Sequence, residues 1–419
     1  MLYNRPGNER QTERGVLRHS LIPAPRHRRA PRTGAPPAAG EAAARNSTPT
    51  PILAAVVVLG ASLALAGCGP PPWNNPYPVD EAAEDVLYLG FTSRPKHLDP
   101  ALSYSNDESR FIGQIYEPPL QYHYLKRPYT LEPLTATAVP EPRLYDAAGA
   151  RLPADAPAAA VARSVYEIRI REGIRYQPHP AFARGPDGAP AYAPVPPALL
   201  PGIQRLADFP RTATRELVAA DYVYQIKRLA SPRVPSPIAS LMRGHIAGLD
   251  ALAGRLEEAV AELDEGAWLD LRPHALPGAE VVDRYTFRIV LDDHYPQLRY
   301  WLAMSFFAPL PWEADRFYSQ EALQARNITL DWYPVGTGPF MLTENNPNRR
   351  MVLERNPNFR GEPYPRAGAP GDRDAGLLAD AGRTMPFVRK AVYSLEPETI
   401  PYWNKFLQGY YDASGISSD

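Results

Sequence analysis

A single cysteine, placed just after an uncharged apolar run, most constrains what this chain can be. The run covers residues 52–66 and ends in small residues before Cys68. It is too short to be a comfortable membrane-spanning helix. An arginine-rich stretch precedes it, so residues 1–67 together are typical of a basic region followed by the apolar segment of an export signal. We therefore exclude residues 1–67 from the predicted folded body.

The residues around this cysteine resemble a bacterial lipobox, the segment in which a cysteine thiol receives a diacylglycerol before cleavage makes that cysteine the first residue. The sequence reads LAGCG over residues 65–69. Acyl chains on one residue can anchor a protein stably to a membrane. The alternative is an idle cysteine in a signal-anchor helix. Residues 68–85, which are rich in proline, are predicted to form a tether.

Composition and motif content exclude several classes of function. The 419 residues carry a formal net charge of −1, which argues against a nucleic-acid binder. One cysteine allows neither an internal disulfide nor a multi-cysteine metal site. The sequence has no Gly-x-Ser-x-Gly, His-Glu-x-x-His or P-loop motif, and its 8 histidines lack metal-ligand spacing. We therefore predict no catalytic residue, no metal site and no cofactor.

Hydrophobic periodicity predicts an α/β or α+β fold with long excursions. Residues 177–211 are rich in proline, alanine and glycine and are expected to be irregular. Strands are predicted over residues 86–91, 165–171, 286–291, 339–344, 350–355 and 388–395. Helices are predicted over residues 107–120, 219–229, 247–263 and 402–409.

Several short motifs stand in one order along the mature chain and together resemble the family-5 extracellular solute-binding proteins. These are the peptide, dipeptide and nickel receptors of ABC importers. Each motif is weak by itself, whereas the ordered set downstream of a lipobox is specific. The motifs are HLDP at 97–100, QIYEPPL at 114–120, the strand and turn at 166–175, ADYVY at 220–224, VGTGPF at 335–340 and RNPNF at 355–359.

The resemblance implies a class II periplasmic binding protein, an α/β fold of two lobes joined by a hinge, with an extra subdomain in the first lobe. Residues 86–105 and 335–419 would form the sheet of the first lobe, and residues 106–334 the inserted subdomain. The chain is expected to end before the second lobe. Proline-rich insertions at 140–160, 177–211 and 362–385 depart from the shorter family members.

The resemblance also implies a function. The chain would be an extracytoplasmic substrate-binding lipoprotein that captures oligopeptides or dipeptides for an ABC transporter. It would work as a monomer in the periplasm or at the cell surface, with permease subunits as partners and the membrane reached through Cys68. Alternatives are the same fold binding a nickel chelate, haem or another solute, a structural envelope lipoprotein, or an enzyme.

A peptide receptor must pair with the main chain of an extended ligand, as when a strand adds to a sheet edge. The loop after the first strand is therefore the predicted ligand contact, namely Thr92, Ser93, Arg94 and Pro95. Tyr116 and Tyr224 are predicted to line side-chain pockets. Gly336, Thr337 and Gly338 are predicted to form a structural turn near the cleft, with glycines for backbone angles closed to other residues. The third glycine of a dinucleotide fingerprint is absent.

Overall fold

Strands from both ends of the described chain meet in a mixed α/β fold. The computed structural model describes residues 76–78 and 84–415, so Cys68 and most of the predicted tether lie outside the described residues. The strands are β1 Val86–Phe91, β2 Leu120–Tyr122, β3 Leu131–Pro133, β4 Arg143–Tyr145, β5 Arg151–Leu152, β6 Arg163–Arg169, β7 Ala279–Asp283, β8 Thr286–Leu291, β9 Phe340–Asn346, β10 Arg350–Arg355, β11 Glu362–Pro363, β12 Thr384–Met385 and β13 Lys390–Leu395. The helices are α1 Asn106–Ile115, α2 Ala219–Arg228, α3 Ala239–Arg243, α4 Leu249–Glu262, α5 Leu298–Trp301, α6 Trp312–Tyr318, α7 Glu321–Gln324 and α8 Thr399–Leu407.

A four-stranded sheet has the order β1-β13-β10-β9. β1 runs parallel to β13, whereas β10 is antiparallel to both of its neighbours. Apolar residues of this sheet pack with the inner face of α1 in a core that includes Phe91, Phe111 and Tyr393. The sheet therefore brings residues near 90 and near 390 into register, which the sequence alone does not reveal.

The free side of β1 is covered by side chains from later in the chain. Tyr88 N donates to Asp412 Oδ2 at 2.7 Å, and Asp412 N donates to Tyr88 O at 2.9 Å. Gly90 N donates to Tyr402 Oη at 3.2 Å, and Arg110 donates to Gly90 O at 2.7 Å. Hydrogen bonds thus occupy the side of β1 that faces away from β13 at Tyr88 and Gly90.

A second, antiparallel sheet has the order β5-β4-β6-β8-β7. The predicted alternation along β6 is confirmed, because Tyr166, Ile168 and Ile170 are buried while Glu167 and Arg169 are exposed. The prediction for β8 is confirmed over its whole length. This sheet and helix α2 form the larger of two hydrophobic cores.

Helix predictions were confirmed in type but wrong at several ends. α1 stops at Ile115, short of residue 120, because Pro118 disfavours a helical conformation at the residue before it. α8 begins at Thr399 rather than at 402, so Pro401 lies within its first turn, where a missing backbone N–H costs no helical hydrogen bond.

The excursion at 177–211 is irregular, as predicted, yet it belongs to the main core. It contains short 3₁₀ turns at Pro180–Phe182, Leu200–Gly202 and Leu206–Asp208. Phe182, Tyr192 and Phe209 are buried within the larger core. Large apolar side chains therefore hold this segment without regular secondary structure.

Gly336 and Gly338 are required for a different reason from the one predicted. Neither has a positive φ, so the expectation of backbone angles closed to other residues was wrong. A Cβ at Gly336 would lie 2.0 Å from Ile115 O, and one at Gly338 would lie 2.7 Å from the same oxygen. The loop passes directly against the end of α1, and only glycine leaves room for that approach.

Within residues 76–78 and 84–415, no helix combines the length and the apolar character that crossing a bilayer requires.

We expect Gly336→Ala to destabilise the protein by several kcal/mol, because the new methyl group overlaps a backbone oxygen that cannot rotate away. Gly113→Ala is the matched control: it lies within α1 with nothing within 4 Å of the new Cβ, so it should be neutral or stabilising by up to about 1 kcal/mol. Urea unfolding followed by circular dichroism measures both. Equal midpoints for the two variants would contradict the close-approach explanation.

A second prediction concerns His179, which is fully buried and whose imidazole bonds Tyr318 Oη at 2.7 Å. Burial lowers the pKa of His179 to about 3. Because the unfolded chain takes up this proton near pH 6.5, the full stability is present above that pH and declines as pH falls toward 3. Between pH 7 and pH 5 we expect a loss of about 2 kcal/mol that is missing in His179→Asn. Urea unfolding at both pH values tests this, and an identical pH dependence in the variant would contradict it.

Candidate functional site

The loop that follows β1 is fixed at its far end by two carboxylates. Asp331 Oδ1 accepts hydrogen bonds from Leu98 N and Asp99 N, each at 3.0 Å. Glu108 Oε1 accepts from Lys96 N at 3.1 Å and from His97 N at 2.9 Å. The HLDP motif is therefore a backbone segment clamped between α1 and the start of the VGTGPF region.

The near end of the same loop is exposed and unpaired. Thr92, Ser93 and Arg94 are exposed, and Pro95 is half-buried. Within the part of the chain that the structure describes, no hydrogen bond or ion pair involves Thr92, Ser93 or Arg94. The predicted contact residues thus offer free backbone groups to a ligand, and their role in binding stays a prediction.

A buried ion pair lies directly behind this loop. Arg228 Nη2 lies 2.6 Å from Asp99 Oδ2, and Arg228 Nη1 lies 3.0 Å from Asp99 Oδ1. The two side chains are 4% and 8% exposed. Gln225 Oε1 accepts a further bond from Arg228 at 3.1 Å, and Asp99 Oδ1 also accepts from Ala101 N. The pair therefore joins the loop after β1 to the last turn of α2.

The two predicted pocket tyrosines are both buried near this ion pair. Burial raises the pKa of the Tyr116 hydroxyl well above its usual value, and the charge of Asp99 raises it further. Tyr224 donates to Asp315 Oδ2 at 2.7 Å, an oxygen that also accepts from Trp268 Nε1 at 2.7 Å. Burial, followed by the charge of Asp315, raises the pKa of Tyr224.

A cavity of about 470 Å³ opens beside these residues. Its wall includes Asp99, Arg228, Asp315 and Asp331, together with apolar side chains. Tyr116 and Tyr224 are not part of the wall, although Tyr224 bonds to Asp315, which is. Of the six motifs, HLDP alone contributes to this wall, through Asp99.

The VGTGPF and RNPNF motifs hold each other and the end of α1. Gly338 N donates to Ile115 O at 2.8 Å. Asn356 Nδ2 donates to Gly338 O at 3.0 Å, and Asn356 N donates to Pro339 O at 2.9 Å. Thr337 is buried within this contact. The predicted structural turn is therefore a junction between the sheet and α1.

Sequence reasoning missed three residues of this region. Arg228 was not singled out, because its partner Asp99 lies 129 residues away in sequence. Asp331 carries no motif at all. Tyr104 is 69% exposed, with its ring centroid 6.0 Å from that of Phe306. Its place shortly before a predicted helix N-terminus was the one sequence signal that could have singled it out.

One segment of the chain matches the model of a known protein family. Residues 214–367 match the model of the bacterial extracellular solute-binding proteins, family 5 Middle. These residues, about a third of the chain, are thus similar to the middle segment of family-5 solute-binding proteins. The matched segment includes α2 with Arg228, as well as Asp315, Asp331 and the VGTGPF and RNPNF motifs.

Individual family-5 relatives are also similar to the chain. The periplasmic oligopeptide-binding protein OppA of Salmonella typhimurium is 30% identical over 145 residues, which are 34% of this chain and 23% of OppA. Among solved structures, OppA of Burkholderia pseudomallei is 15% identical to this chain, with a TM-score of 0.46. The alignment covers 78% of this chain and 45% of the OppA chain. DppA of Helicobacter pylori, in complex with the peptide STSA, is 17% identical to this chain, with a TM-score of 0.45. The alignment covers 80% of this chain and 47% of the DppA chain. The chain thus spans less than half the length of these proteins.

No group of three or more potential metal ligands occurs in the described ranges 76–78 and 84–415.

We expect Arg228→Met to lower the free energy of unfolding by about 3 to 5 kcal/mol, because Asp99 is left as a buried, unpaired charge. Arg299→Met is the matched control, since Arg299 pairs with Glu141, which is 75% exposed, and should cost less than about 1 kcal/mol. Adding Asp99→Asn to Arg228→Met should recover part of the loss. Urea unfolding measures all of these variants, and a loss in Arg228→Met no larger than in the control would contradict the structural role of the pair.

Proposed function

We propose that this chain is the capture component for short peptides in an ABC import system, held outside the cytoplasm. The observation that carries the proposal is the exposed backbone of Thr92, Ser93 and Arg94, which continues an edge strand and makes no hydrogen bond among the described residues. A peptide is the ligand that matches a short row of free main-chain donors and acceptors.

Two exposed side chains, Arg94 and Tyr104, suit the remaining parts of a peptide. Arg94 is exposed and has no ion pair within the described residues, so it can balance a terminal carboxylate. Tyr104 presents an exposed ring that can pack against side chains of differing shape. Backbone pairing with adaptable aromatic contact favours binding that tolerates many sequences.

The family assignment supports the same function. The relative OppA is named as a periplasmic oligopeptide-binding protein, and the alignment with it reaches 30% identity. In the proposed architecture the four-stranded sheet belongs to the first lobe and residues 106–334 to its inserted subdomain. A second lobe would close over the ligand about a hinge and present a surface to the permease.

The proposed location is the periplasm or the outer face of the membrane, with a lipid on Cys68 as the anchor. The support is the sequence alone, since the LAGCG segment lies outside the described residues. Mass spectrometry of the amino-terminal peptide from membrane-extracted protein would show an acylated Cys68. An unmodified cysteine in a cytoplasmic protein would contradict the proposed location.

We also propose that the chain binds its solute without converting it. The matched family consists of solute-binding proteins, and the charged groups beside the cavity are engaged in pairing and in holding the backbone rather than arranged as a nucleophile and base. Release of the peptide unchanged after binding, checked by mass spectrometry, is the expected result.

The binding proposal predicts a loss of peptide affinity in Ser93→Pro, which removes one backbone donor. We expect tri-alanine to bind the full chain and Ser93→Pro to weaken it by about fivefold, or about 1 kcal/mol, the usual contribution of one hydrogen bond. Isothermal titration calorimetry measures the affinity.

Ala147→Pro is the matched control, because Ala147 is equally exposed and occupies the second position of the turn closed by Gly149 N and Asp146 O. It should leave the affinity unchanged. If nickel chelates or haem bind and peptides do not, the proposal of a peptide ligand is contradicted. Equal peptide affinity in Ser93→Pro and the parent would remove the loop from the binding site.

A further inference from the structure

The cavity beside the Asp99–Arg228 pair carries one acidic group whose hydrogen-bonding capacity is not used up. Three aspartates and two arginines line this cavity of about 470 Å³. That size lies in the range of small-molecule sites. Which ligand chemistry fits depends on which of these charges remain available.

Two of the aspartates are already engaged. Both oxygens of Asp99 accept from Arg228. Oδ2 of Asp315 accepts from Tyr224 and Trp268, and its Oδ1 lies 3.5 Å from Arg228 Nε. A ligand would therefore have to displace existing partners to reach either carboxylate.

Asp331 differs from the other two. Its Oδ1 holds the backbone of Leu98 and Asp99, but its Oδ2 has only His97 Nδ1, at 3.4 Å. Its side chain is 33% exposed. Of the two arginines, Arg228 is paired, and Arg233 is exposed and donates to Ala267 O. Arg233 has no ion pair among the described residues, but it is exposed to solvent. The partly buried charge in the wall with spare hydrogen-bonding capacity is therefore the negative one at Asp331 Oδ2.

The rest of the wall combines apolar side chains with the polar side chains of Ser231, Ser319, Gln324 and Thr329. The apolar side chains include those of Leu102, Val234, Leu269, Leu271 and Leu330. A ligand that fits must combine an aliphatic stem with a hydrogen-bond donor of positive charge. An ammonium group on an alkyl chain has that combination, because the stem can be buried while the charge meets the carboxylate.

We propose that this cavity binds a primary alkylamine, with the ammonium at Asp331 Oδ2 and the methylene stem against the leucines. The site is separate from the free backbone at residues 92–94, and it does not depend on peptide capture. Within a captured solute, the same chemistry would be presented by a lysine-like side chain.

The test titrates the full chain with pentylamine and, in parallel, with pentanol, which has the same stem and no charge. Isothermal titration calorimetry should show saturable binding of the amine and none of the alcohol at the same concentrations. Asp331→Asn should weaken amine binding by about tenfold or more, because one charge-assisted hydrogen bond is lost. This variant keeps an acceptor oxygen for Leu98 N and Asp99 N, so the loop stays anchored.

Asp264→Asn is the matched control, since it removes the same charge from an exposed residue that does not line the cavity, and it should bind pentylamine as the parent does. Val234→Phe should block the cavity and abolish binding. The proposal is overturned if pentylamine does not saturate, if pentanol binds equally well, if Asp331→Asn retains full affinity, or if a folded Val234→Phe still binds. A chain that binds pentylamine but no peptide would refute the proposed peptide function and leave this site intact.

Discussion

The rest of the candidate site depends on one buried ion pair, between Asp99 and Arg228. Its two hydrogen bonds connect the loop after the first strand to the end of α2, so they join the four-stranded sheet region to the larger core. Neither charge is stable alone in such a dry environment, because removing a carboxylate or a guanidinium from water costs several kcal/mol. The position of the loop and the packing of the larger core are therefore linked.

Around this pair, the protein fixes the far half of the loop and leaves the near half free. Asp331 and Glu108 occupy the backbone donors from Lys96 to Asp99. Thr92, Ser93 and Arg94 make no such bonds within the described chain. A binding segment arranged this way is held in place before the ligand arrives, which lowers the entropic cost of binding.

Sequence reasoning predicted the local elements well because hydrophobic periodicity is a local property. β8 and the burial of alternate residues along β6 follow directly from their patterns. The ends of α1 and α8 were predicted less well, since α1 stops before Pro118 and α8 begins early enough to include Pro401. For α2, the extent of the helix was predicted closely, whereas the burial of Arg228 depends on a partner far away in sequence. Ion pairing and close backbone approach, as at Gly336, are long-range properties with no local signature. The residues that shape the candidate site are mostly of this second kind.

The covering of β1 by Tyr402, Asp412 and Arg110 limits how much of a ligand this strand can engage. Within the described chain, a guest cannot lie along Val86–Phe91, and only the short extension beyond Phe91 is available. Main-chain hydrogen bonds would then involve very few residues of the ligand. Such a short contact discriminates neither the length nor the sequence of a bound ligand, so any selectivity must come from the surrounding surfaces.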